Sequence, residues 1–216
     1  FLHLSLAPAT TQVLDSLGVK DKLVAVDTQS PLYVEGVKDL PQFDMMAPDV
    51  EQIASLEPDI VFTAGMSYLE GNPFAPLTDM GIAVVDIPSS TSIEAVGKDV
   101  VFTAACLGLE EEGQKLADDM MAKIDALAAK AEGVAEKKTV FFEIGALPYL
   151  YSFGSDTFLH EMIERLGATN VMGAQTSWLS VSEEDAVSAN PDVILTSVNY
   201  IDNPVEEILA RPGWEN

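Results

Sequence analysis

The residues of this chain with the most distinctive chemistry are aromatic and methionine side chains in short polar segments. These segments follow apolar runs, as in TAGMSY (63–68) and TSVNY (196–200). Such side chains offer large, adaptable apolar surfaces with a few polar tips, which suits a bulky, partly apolar ligand. The predicted ligand-binding residues are Tyr33, Met45, Met46, Met66, Tyr68, Tyr149, Tyr151, Trp178, Asn199 and Tyr200. Any one of them could instead be ordinary core or hinge packing.

The sequence lacks the signatures of common catalytic machinery. It contains no G-x-S-x-G, G-x-G-x-x-G or G-x-x-x-x-G-K-[ST] segment, which hydrolase, dinucleotide and P-loop sites require. Its two histidines, His3 and His160, have no partner at metal or triad spacing. Its one cysteine, Cys106, lies in an apolar segment, as buried thiols do. We therefore predict that the protein is not an enzyme, with no catalytic cofactor and no certain metal ligand.

The net charge of the chain limits which molecules it can bind. The chain has 35 acidic and 11 basic residues, a formal net charge of −24, which repels nucleic acid and anionic membrane surfaces. The acidity could also serve solubility alone. The only arginines are Arg165 and Arg211, and the lysines lie outside the aromatic segments. A neutral or weakly charged ligand is favoured, because a strongly anionic one needs cationic donors.

Apolar segments that predict strands alternate with amphipathic segments that predict helices. The predicted strands are FLHLSL (1–6), KLVAVD (22–27), DIVFTA (59–64), IAVVDI (82–87), KTVFFEI (138–144) and DVILTSV (192–198). Their apolar composition predicts buried strands. Their alternation with helices predicts parallel sheets with right-handed crossovers. Thr10 and Ser155 are expected to cap helices, and residues 28–48 are expected to be irregular.

A long amphipathic helix is predicted to connect two α/β lobes. It contains no proline and no Ser-Gly run, so it is expected to be rigid. The predicted organisation is an N-terminal lobe over 1–107, a connecting helix over 108–134 and a C-terminal lobe over 135–216. Because the second lobe shows only two clear strands, it is expected to be incomplete, with further sequence after residue 216.

One phrase occurs twice, as PDIVFTAGMSY (58–68) and PDVILTSVNY (191–200). In both places a short acidic helix leads through proline into a strand that ends in a polar and aromatic loop. Open parallel sheets bind ligands outside the carboxyl ends of their strands. The repeat therefore predicts one ligand-facing edge in each lobe.

Four segments carry a family resemblance that extends, in order, over nearly the whole chain. They are SLAPATTQVLDSLGVKDKLVAVD, MMAPDVEQIASLEPDIVFTAG, WLSVSEEDAVSANPDVILT and RPGWEN. They resemble the extracytoplasmic solute-binding proteins of ABC importers for iron-siderophores, haem and cobalamin. The resemblance implies two Rossmann-like parallel-sheet lobes joined by a single long helix, the class III periplasmic-binding-protein arrangement.

The resemblance also implies how such a protein works. An iron chelate (siderophore or haem) or cobalamin would be held between the lobes with little hinge motion and delivered to the permease subunits of an ABC transporter. The protein would be extracytoplasmic, either periplasmic or a lipoprotein anchored on the outer face of the membrane. Membrane contact would be made only through an anchor outside this sequence, and the protein would be a monomer. A final strand and helix would follow RPGWEN.

Two permease-docking residues are implied by the resemblance. Trp178 and Glu184 reproduce the spacing with which cobalamin-binding relatives place a docking glutamate six residues after a pocket tryptophan. Glu70 aligns with the first-lobe counterpart. Glu184 could also be a helix-start acid that interacts with the helix dipole.

The resemblance leaves the ligand open. Met46 stands two residues before Pro-Asp, where some haem-binding relatives place an iron-ligating methionine. Their second ligand, a histidine, would fall near Asn199 or Tyr200, and tyrosine can also ligate haem iron. Met46 and Tyr200 are therefore the candidate metal ligands if the ligand is haem. Relatives that bind bare zinc or manganese use several histidines, which this chain cannot supply.

Two alternatives from other classes stay open at the level of sequence. One is a two-lobed metal-chelate enzyme or chelatase-like protein, which would need a catalytic His or Cys in its cleft. The other is a surface adhesion protein with a non-functional cleft, which no ligand would stabilise.

Overall fold

The computed structural model describes residues 1–68 and 71–214, in which strands and helices alternate along most of the chain. The two larger sheets are parallel. This confirms the predicted α/β class. Among the described residues, no helix is both long and apolar enough to cross a membrane.

The chain divides into two units. Unit 1 comprises Phe1–Ser89 and Gly97–Met120, and unit 2 comprises Ser90–Val96 and the chain from Met121 onward. The long helix α5 (Glu110–Ala131) begins in unit 1 and ends in unit 2. It is the single long helix that the sequence predicts. The lobe limits predicted from the sequence stay a prediction.

Unit 1 contains a five-stranded parallel sheet with the order β3-β2-β1-β4-β5. Its strands are β1 (His3–Ser5), β2 (Leu23–Asp27), β3 (Gln42–Phe43), β4 (Ile60–Ala64) and β5 (Ala83–Ile87). The helices that precede α5 are α1 (Pro8–Ser16), α2 (Val50–Ser55), α3 (Ala75–Asp79) and α4 (Ile93–Ala105). The order places β1 at the centre of the sheet, between β2 and β4.

The core of unit 1 lies on both faces of this sheet. Along β4, Val61 packs into one apolar cluster, whereas Ile60 and Phe62 pack into another. Alternate side chains of a strand point to opposite faces, so both faces of β4 are covered. This confirms the prediction that DIVFTA is a strand buried on both sides.

Unit 2 contains a three-stranded parallel sheet and a separate antiparallel pair. The parallel sheet has the order β10-β6-β8 and is formed by β6 (Thr139–Glu143), β8 (Thr169–Asn170) and β10 (Val193–Thr196). The antiparallel pair is formed by β7 (Tyr151–Phe153) and β9 (Trp178–Ser180). The helices after α5 are α6 (Phe158–Arg165), α7 (Glu183–Ser188) and α8 (Pro204–Leu209).

Two strands predicted to be buried are at sheet edges instead. In β10, Val193 is 37% and Leu195 43% exposed, and in β5, Ala83 and Asp86 are exposed. The prediction of buried strands was wrong here because one face is left uncovered: in β10, Ile194 packs against a core cluster, whereas Val193 and Leu195 point to the other face and belong to no described cluster. Strands β3, β7, β8 and β9 were not predicted, since segments of two or three residues carry little periodicity.

Two predicted helix caps also differ. Helix α1 begins at Pro8, so Thr10 lies inside it, because proline is well tolerated in the first turn of a helix. The cap of α6 is Thr157 rather than Ser155, and its hydroxyl accepts a hydrogen bond of 3.2 Å from the backbone N–H of His160.

The aspartate of each Pro-Asp repeat fixes the start of a neighbouring strand. Asp59 Oδ2 accepts a 2.6 Å hydrogen bond from the N–H of Leu2, just before β1. Asp192 Oδ2 accepts bonds of 2.8 and 3.0 Å from the N–H and hydroxyl of Thr139, the first residue of β6. These bonds from Thr139 lower the pKa of Asp192. In both units the repeated carboxylate therefore aligns parallel strands at their amino ends.

Unit 2 contains a buried charge network. Arg211 Nη1 donates a 2.6 Å hydrogen bond to Glu143 Oε2, and the guanidinium also donates two bonds to Glu207. Both Glu143 and Arg211 are buried, and the guanidinium carbon lies 4.9 Å from the ring centre of Trp214. Burial alone lowers the pKa of Arg211, but the bonds to Glu207 and Glu143 outweigh it and raise the pKa. The RPGW segment is thus fixed to β6 through a charged pair.

Candidate functional site

Unit 1 has a cleft of about 710 Å³ near the ends of β3 and β4. Its lining residues are Met46, Ala47, Pro48, Met66, Ser67, Gly71, Asn72 and Pro73. The first three follow β3, and the others belong to the segment that follows β4. Ligand pockets typically have volumes of about 300–1,000 Å³, so the cleft is large enough for a small molecule.

Local hydrogen bonds hold Met46 on the surface of this cleft. Asp44 Oδ1 accepts a 2.8 Å bond from the N–H of Met46, which forms a tight turn directly after β3. Asp49 then caps α2 by accepting a 3.0 Å bond from the N–H of Gln52. Between these fixed points Met46 is 48% exposed, whereas Met45 is half-buried and does not line the cleft.

A short 3-10 turn, Gly65–Tyr68, supplies the second wall. Met66 is 51% exposed, and Ser67 is buried with no hydrogen-bond partner for its hydroxyl among the described atoms. Tyr68 is not among the described lining residues: its hydroxyl lies 3.1 Å from Thr63 Oγ1 and its ring packs on Phe74. The structure therefore brings Met46 and Met66 together and uses Tyr68 to anchor the turn.

Tyr33 follows a buried polar network that the sequence reasoning missed. Asp27, the last residue of β2, accepts hydrogen bonds of 2.8 and 2.9 Å from the N–H groups of Gln29 and Ser30, and the Ser30 hydroxyl also donates to it. The Thr11 hydroxyl lies 2.8 Å from that of Ser30. The network fixes the turn that presents Tyr33, which is exposed. The sequence does carry a signal for this network: Asp27 ends an apolar strand and is followed directly by the polar segment Thr-Gln-Ser-Pro.

In unit 2, two predicted tyrosines lie on joined loops. The Tyr200 hydroxyl accepts a 2.8 Å hydrogen bond from the N–H of Ala146, which links the loop after β10 to the loop after β6. Tyr149 belongs to the latter loop and is 85% exposed, and Tyr200 and Asn199 are also exposed. Tyr151 lies in β7, opposite Ser180 of β9.

Trp178 lies on β9, where its ring makes edge contacts with Phe153 and Phe158 at centroid distances of 6.0 and 6.4 Å. Glu184 lies in the first turn of α7 and is exposed, in a helix capped by Ser182. Glu70 lies outside the described residues. The ligand and docking roles of all these residues stay predictions.

Two observations concern metal binding and the reactivity of the cysteine. Among the described residues, no group of three or more His, Cys, Asp or Glu side chains is arranged to hold a metal ion. Cys106 packs against the unit 1 core, and burial raises the pKa of its thiol. A raised pKa disfavours the thiolate, which is the nucleophilic form.

Comparisons with known proteins agree with this architecture. The chain is 32% identical over 213 residues to the uncharacterised ABC transporter substrate-binding lipoprotein YvrC of Bacillus subtilis, covering 97% of this chain and 67% of YvrC. It is 28% identical over 198 residues to a vitamin B12-binding protein of Yersinia pestis, covering 90% of this chain and 68% of that protein.

Solved structures include similar molecules. The periplasmic haem-binding protein HutB of Vibrio cholerae superimposes with a TM-score of 0.82 at 26% identity, covering 100% of this chain and 87% of HutB. The family model described as periplasmic binding protein matches residues 4–216. The chain therefore belongs to the periplasmic binding protein family.

Proposed function

We propose that this protein is the extracytoplasmic substrate-binding component of an ABC importer and that it captures a metal chelate for delivery to the permease. The candidate ligands are iron-siderophores, haem and cobalamin. The observation that carries the proposal is the unit 1 cleft, where Met46 and Met66 are exposed beside the buried Ser67 hydroxyl. Exposed thioethers offer a polarizable, adaptable surface to a large chelate.

The relatives support this proposal. Their names describe a substrate-binding lipoprotein and proteins that bind vitamin B12 or haem. Binding rather than catalysis agrees with the prediction that the chain is not an enzyme. We assign ligand contact in unit 1 to Met46 and Met66 and in unit 2 to the exposed Tyr149, Trp178 and Tyr200.

A thermal-shift screen tests the proposal. The purified protein is heated with haemin, cyanocobalamin, a ferric hydroxamate or a ferric catecholate, each compared with its metal-free form where one exists. A ligand at about 100 times its dissociation constant should stabilise the fold by about 2.7 kcal/mol. If none of the four classes raises the melting temperature, the proposed function is wrong.

A neighbouring pair of residues tests the docking role. Glu184→Gln should reduce the ATP hydrolysis that the protein stimulates in its reconstituted permease, because a charged docking contact is lost. Glu183→Gln removes the same charge one residue earlier on α7 and should have little effect. Chelate affinity should be unchanged in both variants. Equal ATPase losses would count against a specific role for Glu184.

A further inference from the structure

We infer that the ligand of the unit 1 cleft carries no net negative charge: it is an uncharged or cationic metal chelate whose outer atoms are amide or hydroxamate oxygens. Ferric hydroxamates and corrinoids share this chemistry, whereas haem and ferric catecholates are anions. The inference deepens the proposed function and rests on it. It is carried by the groups that line the cleft and by the placement of charge in each sheet.

The described lining of the cleft contains no charged side chain. Its hydrogen-bonding side chains are neutral: the buried hydroxyl of Ser67 and the amide of Asn72. Asn72 Oδ1 accepts a 3.0 Å bond from the N–H of Phe74, which fixes the orientation of the amide. Neutral donors suit amide and hydroxamate oxygens, whereas a carboxylate or catecholate is bound best by charge-assisted donors.

The Ser67 hydroxyl is the group in the cleft that most directly calls for a hydrogen-bond acceptor on the ligand. The residue is only 5% exposed, it lines the cleft, and no described atom bonds to its oxygen. A buried hydroxyl without a partner costs stability. A carbonyl or hydroxamate oxygen of the ligand would accept a hydrogen bond from this hydroxyl without bringing charge into the cleft.

Both arginines of the chain are paired with carboxylates of unit 2. Arg165 pairs with Glu161 at 2.9 Å and with Asp125 at 3.2 Å, and Arg211 is buried against Glu143 and Glu207. All of these residues belong to unit 2. Each guanidinium is therefore already neutralised by two carboxylates, and an anionic ligand would have to compete with them.

Several lysines lie at the opposite ends of the strands from the cleft. Lys22 directly precedes β2 and Lys138 directly precedes β6, so both stand at amino ends of strands. Lys22 pairs with Asp21 at 2.8 Å. Lys20, in the same turn as Lys22, pairs with Asp15 at 2.7 Å.

Carboxylates occupy the carboxyl ends instead. Asp27 is the last residue of β2, Asp44 follows β3 directly, Asp86 is the penultimate residue of β5, and Glu143 is the last residue of β6. In unit 1 these acids lie at the edge where parallel sheets bind ligands, whereas in unit 2 the charge of Glu143 is offset by Arg211. With a net charge of −24 on the whole chain, the field at this edge favours neutral and cationic ligands over anionic ones.

Isothermal titration of the purified protein tests the inference. The probes are ferrioxamine B (a cation), ferrichrome and cyanocobalamin (both neutral), and haemin and ferric enterobactin (both anions). We expect at least one of the first three to bind at least about tenfold tighter than either anion at low ionic strength. Ferrichrome or ferrioxamine B as the tightest ligand indicates a hydroxamate, and cyanocobalamin indicates a corrinoid.

The outcomes separate this inference from the proposed function. If haemin or ferric enterobactin binds tightest, the inference about charge is overturned while the proposed function stands. If no probe binds, the proposed function fails and the inference fails with it.

Two arginine substitutions, one inside the cleft and one outside it, test whether the charge preference arises in the cleft. Met66→Arg should lower the ratio of ferrioxamine B affinity to haemin affinity by about tenfold, and salt should weaken the change. Met80→Arg makes the same substitution at an exposed unit 1 methionine outside the cleft lining and should leave the ratio unchanged.

Since an arginine could also obstruct the cleft, Asn72→Asp tests the same charge with the opposite sign and nearly the same shape. It should raise the ratio of ferrioxamine B affinity to haemin affinity. An unchanged ratio in both Met66→Arg and Asn72→Asp, or an equal change in Met80→Arg, overturns the inference.

Discussion

The repeated phrase has two different structural outcomes. In unit 1, PDIVFT becomes β4, between β1 and β5, and Phe62 is fully buried. In unit 2, PDVILT becomes β10, paired with β6 at the edge of the sheet, and Leu195, the counterpart of Phe62, is 43% exposed. A local sequence can determine a strand, but burial depends on what packs against each face: Phe62 lies in an apolar cluster, and Leu195 belongs to none of the described clusters.

The two cores differ as well. The core clusters of unit 1 are apolar on both faces of its sheet. Unit 2 has fewer strands in its parallel sheet and includes the buried pair of Glu143 and Arg211. Among the described residues, unit 1 buries the carboxylate of Asp27 with hydrogen-bond donors alone, whereas unit 2 buries a carboxylate against an opposite charge, a pair that is costly to break.

The largest expected effect comes from the matched strand positions. Phe62→Ala should destabilise the protein by about 3–5 kcal/mol, because it leaves a cavity in a packed core. Leu195→Ala should cost less than about 1 kcal/mol, since the side chain is partly in water already. Urea unfolding followed by far-UV circular dichroism measures both. Similar losses would show that the contrast between β4 and β10 does not hold in solution.

The charge network gives the next effect. Arg211→Met should cost about 3 kcal/mol, the lower end for a broken buried pair, because Glu207 can turn to water but Glu143 cannot. Arg165→Met breaks a more exposed pair and should cost less than about 1 kcal/mol. Urea unfolding followed by tryptophan fluorescence is suitable, since Trp178 and Trp214 both lie in unit 2. Equal costs would refute a special role for the buried pair.

The smallest effect concerns the shared Pro-Asp anchor. Asp192→Asn should slightly lower the urea midpoint at neutral pH, because the amide accepts hydrogen bonds from Thr139 more weakly. The pKa of Asp192 is lowered in the folded state from a reference of 3.8. The wild-type advantage should therefore be present above that reference and be lost as the pH falls through the lowered pKa.

The exposed Asp202 provides the control for this anchor. Asp202→Asn should not shift the urea midpoint at neutral pH or at a pH below the pKa of Asp192. A wild-type advantage over Asp192→Asn that persists at acid pH would contradict the role of the ionised carboxylate.

Sequence patterns predicted the α/β class, the long helix and the strand buried on both faces, because apolar composition and helical periodicity are local signals. They did not predict that β5 and β10 are edge strands, since strand order depends on contacts between distant segments. Met46 and Met66 were both named as ligand-binding residues, and the structure places them in one cleft. Tyr68 was named on the same grounds, and its ligand role stays a prediction; its contacts with Thr63 and Phe74 join residues that the sequence pattern does not relate.

The most direct test of the account is the affinity of the cleft variants for whichever chelate binds tightest. The double variant Met46→Ala/Met66→Ala should bind it at least about tenfold more weakly in isothermal titration, because both exposed thioether surfaces are removed. Met80→Ala removes an exposed methionine outside the cleft lining and should bind like wild type. Wild-type affinity in the double variant would contradict the claim that this cleft holds the ligand.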